Sequence, residues 1–117
     1  MIQLIVQDLN SQAIEAILDD ELYYIILDWN DTGQYWEFGI RNYAYRTLVD
    51  GICVVPNYPL LIQFQYSDLP PGDLQCVNVA DVDGPPPRDG FGSGNFILVY
   101  TTREEVLNPS LLQQYVI

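Results

Sequence analysis

The side chains that could perform chemistry in this 117-residue chain make a short inventory. There is no His and no Lys, and the four basic residues are all Arg: Arg41, Arg46, Arg88 and Arg103. A Ser-His-Asp or Cys-His nucleophile, a His-containing metal centre and a Ser-Lys dyad are therefore excluded. Carboxylates are plentiful, and glycoside hydrolysis asks for a converging pair of them. Most of these acids stand in turn-forming sequence, however, where Asp and Asn serve the backbone. The chain reads as a non-enzyme.

Three further patterns have to be weighed. Asp81-Val82-Asp83-Gly84, with Asp89 nearby, resembles the opening of a calcium loop, but Pro85-Pro86-Pro87 stands where further ligands belong, and a turn is the simpler reading. Gly90-Phe91-Gly92-Ser93-Gly94 lacks the Lys-Ser/Thr of a phosphate loop and precedes a strand pattern, so it reads as a flexible loop. Cys53 and Cys76 are far apart, in no CxxC arrangement, and each lies in an apolar stretch. Buried free thiols are expected, and a disulfide only if their strands adjoin. No cofactor and no metal is implied.

What remains is recognition. Tyr24, Tyr35, Tyr43, Tyr45, Tyr58 and Tyr66 are spaced to populate solvent faces, and Tyr43-Ala44-Tyr45-Arg46 joins the residue types that anchor interfaces. Candidate contact residues are Tyr43, Tyr45, Arg46, Arg88 and Phe91, with Leu111, Leu112, Tyr115, Val116 and Ile117 at the apolar chain end, which must dock on its own domain or on a neighbour.

These residues need a scaffold, and the hydropathy pattern supplies strands. Ile2 to Val6 reads as the first. Ser11 to Leu18 also has helical spacing, but a strand is favoured because Asp19-Asp20-Glu21 then turns into the next one. Leu22 to Trp29 runs to the turn sequence Asn30-Asp31-Thr32-Gly33, and Gln34 to Ile40 alternates strictly beyond it. That loop predicts Trp29 opposite Gln34, Leu27 opposite Trp36, Ile25 opposite Phe38 and Tyr23 opposite Ile40. Tyr23, Ile25, Leu27, Trp29, Trp36, Phe38 and Ile40 form the core of this hairpin. Asn42 to Arg46 turns again. Thr47 to Val55 is a strand bent near Asp50-Gly51, Leu60 to Tyr66 another, Leu74 to Val82 another, and Asn95 to Thr102 the last, after a Pro- and Gly-rich loop over 83–94. The fold class is all-β: a small antiparallel β-sandwich or partly closed barrel with long loops and a C-terminal arm. Residues 1–102 form a single β domain, and 103–117 an extended arm or a short helix starting at Ser110.

Charge narrows the partners. Sixteen acidic residues against four basic ones give a formal charge of −12. Such a surface repels phosphate backbones and anionic bilayers, so neither specific nucleic-acid binding nor membrane insertion is expected. It serves solubility, or meets a basic partner, or lines a DNA passage without adhering to it. No segment reads as a signal peptide or a membrane span.

Several motifs in fixed order resemble a known family. Leu22-Tyr23-Tyr24-Ile25-Ile26-Leu27-Asp28-Trp29-Asn30 followed by Gly33-Gln34-Tyr35-Trp36-Glu37-Phe38 is similar to its Trp-Asn hairpin. Leu48-Val49-Asp50-Gly51-Ile52 through Pro59-Leu60-Leu61 resembles its next segment, although Gly51 precedes Ile52 and Asn57-Tyr58 replaces a glycine region. Leu69-Pro70-Pro71-Gly72-Asp73-Leu74 resembles its Pro-Gly turn, and Arg88-Asp89-Gly90-Phe91-Gly92 to Leu98-Val99-Tyr100 its close. The family is the baseplate plug protein of contractile-tailed phages, cyanophages included. The resemblance implies a non-enzymatic virion component of the tail baseplate, assembled in the host cytoplasm. It would be present in several copies near the tail axis, against hub, spike, tube or wedge subunits. The alternative is a carbohydrate-binding β module using surface Tyr and acids, calcium-assisted if Asp81 and Asp83 bind the ion. A glycoside hydrolase ranks below both.

Overall fold

A computed structural model describes residues 1–61 and 69–107. The elements run β1 (Ile2–Leu4), β2 (Ser11–Leu18), β3 (Glu21–Asn30), β4 (Tyr35–Arg41), β5 (Thr47–Cys53), β6 (Asp73–Asn78), β7 (Phe96–Thr101) and α1 (Arg103–Leu107). They form two antiparallel sheets, one ordered β1-β7-β6 and the other β2-β3-β4-β5. No ladder among the described residues joins the sheets. The fold is all-β as expected, two antiparallel sheets compatible with the sandwich, with no closed barrel among the described residues. One apolar cluster draws on both sheets, from Leu18, Ile25, Leu27, Trp36, Phe38 and Ile40 to Leu74, Cys76, Phe96, Leu98 and Tyr100.

Local sequence explains the larger sheet. β2 and β3 meet at a two-residue turn in which Asp19 and Asp20 both take left-handed backbone, φ 50° and 70°. This is the geometry whose twist matches antiparallel strands. At the β3–β4 hairpin the pairs are Trp29 with Trp36, Leu27 with Phe38 and Ile25 with Ile40, two residues away from the expected register. Asn30 is the reason. It closes the ladder opposite Tyr35, its carbonyl accepts the Gln34 N–H at 2.7 Å, and its side-chain Oδ1 accepts the Gly33 N–H at 2.9 Å. The loop is thus Asp31 to Gln34, with Gln34 at φ 58°. A shift of two keeps every side chain on its face. Tyr23, Ile25, Leu27, Trp36, Phe38 and Ile40 are buried as expected, and Trp29 is half-buried.

Between β4 and β5 the register slips by one where Phe38 faces Ile52 but Ile40 faces Val49. The Asp50-Gly51 bulge expected from sequence lies there, with Gly51 at φ 67°. Opposite it, β4 needs Gly39: a Cβ at that position would stand 2.8 Å from the Val49 carbonyl oxygen.

The smaller sheet departs from expectation at its ends. β1 stops at Leu4, and Ile5 is exposed. β6 stops at Asn78 rather than Val82, because the Asn78 amide accepts the Val82 N–H at 3.0 Å and donates to its carbonyl at 2.6 Å, closing a turn. Leu60 and Leu61 are buried outside any strand, and residues 62–68 of the strand expected there lie outside the described residues. The preceding segment latches onto β6 instead, through Asn57 N–H to Cys76 O at 2.6 Å and Leu60 N–H to Leu74 O at 2.9 Å. Cys76 is buried and Cys53 exposed, both as free thiols, and burial pushes the Cys76 thiol up to about 12.

α1 starts at Arg103, and the short helix expected from Ser110 lies outside the described residues. Thr102 and Glu105 form a reciprocal cap, Glu105 N–H to Thr102 Oγ1 at 3.3 Å and Thr102 N–H to Glu105 Oε1 at 3.1 Å. The buried Glu105 carboxylate also accepts the Met1 ammonium.

Candidate partner-binding surfaces

One end of the sandwich carries an aromatic cluster built by long-range contacts. Trp29 meets Trp36 edge-on at 5.4 Å between centroids, and Phe91 meets Trp36 from elsewhere at 5.6 Å. The Trp36 indole N–H donates to the Pro87 carbonyl at 2.9 Å, which pulls the Pro-rich loop over the larger sheet. Gly90 permits the close return, since a Cβ there would lie 2.9 Å from the Phe96 ring. Main-chain bonds fix the loop from within: Gly90 N–H to Pro87 O at 2.9 Å, Ser93 N–H to Asp89 O at 2.8 Å and Phe96 N–H to Gly90 O at 3.1 Å.

Arg88 and Phe91 were candidate contact residues, and their positions are now concrete. Phe91 is buried against Trp36, so its ring belongs to the core and is not offered to a partner. Arg88 stands over the Trp36 ring at 5.6 Å, pairs with Asp8 at 2.7 Å and donates to Asn10 Oδ1. It clamps the loop to the chain ahead of β2. At most a modest net stabilisation comes from a pair this exposed, so the indole hydrogen bond and the apolar contact are the stronger ties.

Tyr43, Tyr45 and Arg46, by contrast, are all exposed, Tyr43 at 77%. Asn42 organises the turn: its Oδ1 accepts the N–H groups of Ala44 at 3.0 Å and Arg46 at 2.9 Å, and Tyr45 adopts φ 61°. The Tyr45 ring is held edge-on by Tyr24 at 5.0 Å, with the Arg41 guanidinium 4.4 Å from its centroid. A ring already fixed in place loses little rotamer freedom on binding. The same corner therefore presents one fixed aromatic, one free aromatic and one exposed cation.

The outward face of the larger sheet continues from this corner. Ile26 lies at its centre, half-buried, between Ala13 on β2 and Gly39 on β4. Beside it Asp28 and Glu37 are direct cross-strand partners, a like-charge pair that costs stability unless something offsets it. Ser11 donates its hydroxyl to Asp28 at 2.5 Å and Tyr35 its phenol to Glu37 at 3.1 Å. That bond to Glu37 holds the Tyr35 phenol above its ordinary pKa. Among the described residues no three acids, thiols or imidazoles converge into a metal-binding group. The Asp81–Gly84 stretch is instead shaped by the Asn78–Val82 turn, with Asp81 at φ 56°. Tyr58 is exposed, while Tyr66 and the candidates Leu111, Leu112, Tyr115, Val116 and Ile117 lie outside the described residues.

Sequence reasoning missed Glu105, although Thr102-Arg103-Glu104-Glu105 is a readable capping pattern. It also missed Asp19, whose carboxylate accepts both the Tyr100 hydroxyl at 2.5 Å and the Arg103 N–H at 3.1 Å. Nothing local in the sequence pairs residues so far apart.

A family model described as cyanophage baseplate Pam3 plug gp18 matches residues 1–104. No curated protein matches the chain.

Proposed function

The chain belongs to the cyanophage baseplate plug family, a structural constituent of the virion tail baseplate, and from that premise we propose how it is held there. It acts without catalysis, as a fitted part of a contractile tail near the axis, bound to hub, spike, tube or wedge subunits and present in several copies. The family match over 104 residues carries this reading. Support comes from the Tyr43, Tyr45, Arg46 corner, where a fixed aromatic, a free aromatic and a cation stand exposed together. Residues 103–117 serve as an arm, with Leu111, Leu112, Tyr115, Val116 and Ile117 as further contacts. Assembly takes place in the host cytoplasm. The net charge of −12 keeps the surface from adhering to DNA that passes nearby.

The test is occupancy. Phage carrying Tyr43→Ser, Tyr45→Ser and Arg46→Ser together should yield tails that retain less than about a tenth of the wild-type amount of this chain, a loss equivalent to one or two hot-spot residues. The isolated triple variant should melt within about 3 °C of wild type, since exposed substitutions change stability little. Normal occupancy of the triple variant would remove this corner from the interface. Absence of the wild-type chain from purified tails would refute the baseplate role itself.

A further inference from the structure

Four sheet edges compete for unpaired main chain, and three of them are managed. β1 is three residues long. β5 carries the Asp50-Gly51 bulge. β6 is covered by residues 56–60 through main-chain hydrogen bonds. Short strands, bulges and covering segments are the usual means of blocking edge-to-edge pairing. Among the described residues β2 has none of them. It runs eight residues, Ser11–Leu18, in unbroken register with β3, and contains no Pro, no Lys and no bulge.

The parity of its free groups follows from one bond. Trp29 N–H donates to Asn10 O at 2.7 Å, so even-numbered residues of this strand turn their main chain toward β3. Ala13, Glu15 and Ile17 therefore aim N–H and C=O outward, and among the described residues no main-chain bond outside the ladders reaches them. Along this edge runs an open groove of about 370 Å³, lined in part by Ile5, Leu9, Gln12, Ile14 and Glu15. Gln12 fixes its wall, donating to Gln7 O at 2.8 Å and accepting the Gln7 N–H at 3.0 Å. Ile5 is 81% exposed and Leu9 46%.

We infer that the free edge of β2 is a strand-addition site for an extended, basic segment of a non-identical neighbour, which enlarges the four-stranded sheet by one strand. This rests on the baseplate reading for the existence of neighbours, and on geometry for the site. Charge selects the occupant. A second copy would bring another −12 to an edge whose centre is Glu15, whereas Lys or Arg complements it. Alternation sets the pattern: one side of the incoming strand meets Ile5, Leu9 and Ile14, and the other meets Ser11, Glu15 and Ile17. The segment recognised thus alternates apolar and basic residues.

The experiment titrates the full ¹⁵N-labelled chain with an acetylated, amidated heptapeptide of alternating Val and Lys. Amide shifts should centre on Ala13, Glu15 and Ile17. A Val–Glu heptapeptide should bind at least about tenfold more weakly. Ala13→Pro deletes one outward donor without touching the β3 ladder, so it should weaken binding about tenfold and move the melt little. N-methylation of the Lys amides and of the Val amides should differ sharply, one abolishing binding and the other sparing it, because only one parity faces β2. Equal effects of the two methylated peptides would overturn the proposal, since simple charge attraction has no parity. So would slow exchange of the Ala13, Glu15 and Ile17 amides in the free chain, which would mean the edge is already covered. In phage, Ala13→Pro retained at wild-type occupancy sinks the strand-addition site and leaves the baseplate role standing. Wild-type chain missing from tails sinks the baseplate role and leaves the peptide result intact.

Discussion

Tyr100 is the most informative residue to change. Its hydroxyl is buried in β7, donates to Asp19 Oδ2 at 2.5 Å and accepts the Gly72 N–H at 2.8 Å. One oxygen thereby ties the β2–β3 turn of one sheet to the loop that enters β6 of the other. Tyr100→Phe keeps the ring and removes both bonds. A hydrogen bond to a carboxylate is worth about 1.5–3 kcal/mol, and a buried N–H left unmatched costs about 1–3 kcal/mol. Asp19 is half-buried and regains part of its loss from water. Gly72 has no such relief, because a Cβ there would lie 1.9 Å from the Thr101 carbonyl oxygen, so its backbone is confined. The expected cost is about 3 kcal/mol, a large share of the ~6–17 kcal/mol that a chain of this length commands. Urea unfolding followed by backbone circular dichroism should show the midpoint fall at unchanged slope, with Tm lower by roughly 10 °C. Asp19→Asn keeps an acceptor and removes the charge, so about half that cost is expected. Alkaline pH supplies a second readout. Burial, and next the bond to the Asp19 carboxylate, raise the Tyr100 phenol well above its ordinary value of 10.0. Its folded value exceeds its unfolded one, so its contribution is complete below pH 10 and declines above it, by about 1.4 kcal/mol per pH unit. The difference between wild type and Tyr100→Phe should therefore shrink above pH 10. A cost below about 0.5 kcal/mol, or a difference that does not change with alkaline pH, would refute the reasoning.

Glu105→Gln should destabilise by about 2 kcal/mol, since it leaves the Met1 ammonium without its carboxylate while keeping part of the cap. Burial works to raise the Glu105 carboxyl, but bonds from the Met1 ammonium and Thr102 outweigh it and hold it below the ordinary 4.5. Its contribution is thus present above pH 4.5 and lost as pH falls through the lower folded value, and acid titration of the wild type against the variant should show the gap closing. Gly39→Ala should cost about 2 kcal/mol by driving a Cβ into the Val49 carbonyl, with amide-exchange protection lost in β5 and retained in β7. Equal loss in both strands would show that the bulge is not an independent weak point.

What could be read from sequence was the face of each strand. The Trp36, Phe38, Ile40 alternation fixed the buried side of β4, and Asp50-Gly51 marked the bulge of β5. The register of the same hairpin was not readable, because it depends on the Asn30 side chain closing the loop rather than on hydropathy. A two-residue slip is invisible to a pattern of period two. The exposure of Tyr43, Tyr45 and Arg46 was legible because their turn is local. The burial of Phe91 was not: the five-residue Gly-rich run around it suggests solvent, and its burial depends on the distant indole of Trp36. The open edge of β2 was equally hidden, since strand order is a property of the assembled sheets.

The chain's two tryptophans, Trp29 and Trp36, touch one another at the loop end of the β3–β4 hairpin. Tyr100 and Asp19 are joined near the other end of β3. Intrinsic fluorescence is therefore a local gauge sited about a full strand length, some 25 Å, from the hydrogen-bond pin. Loosening the pin is silent to the indoles unless both sheets come apart together. Overlay of the emission transition with the backbone transition in Tyr100→Phe thus measures how far cooperativity extends across this molecule.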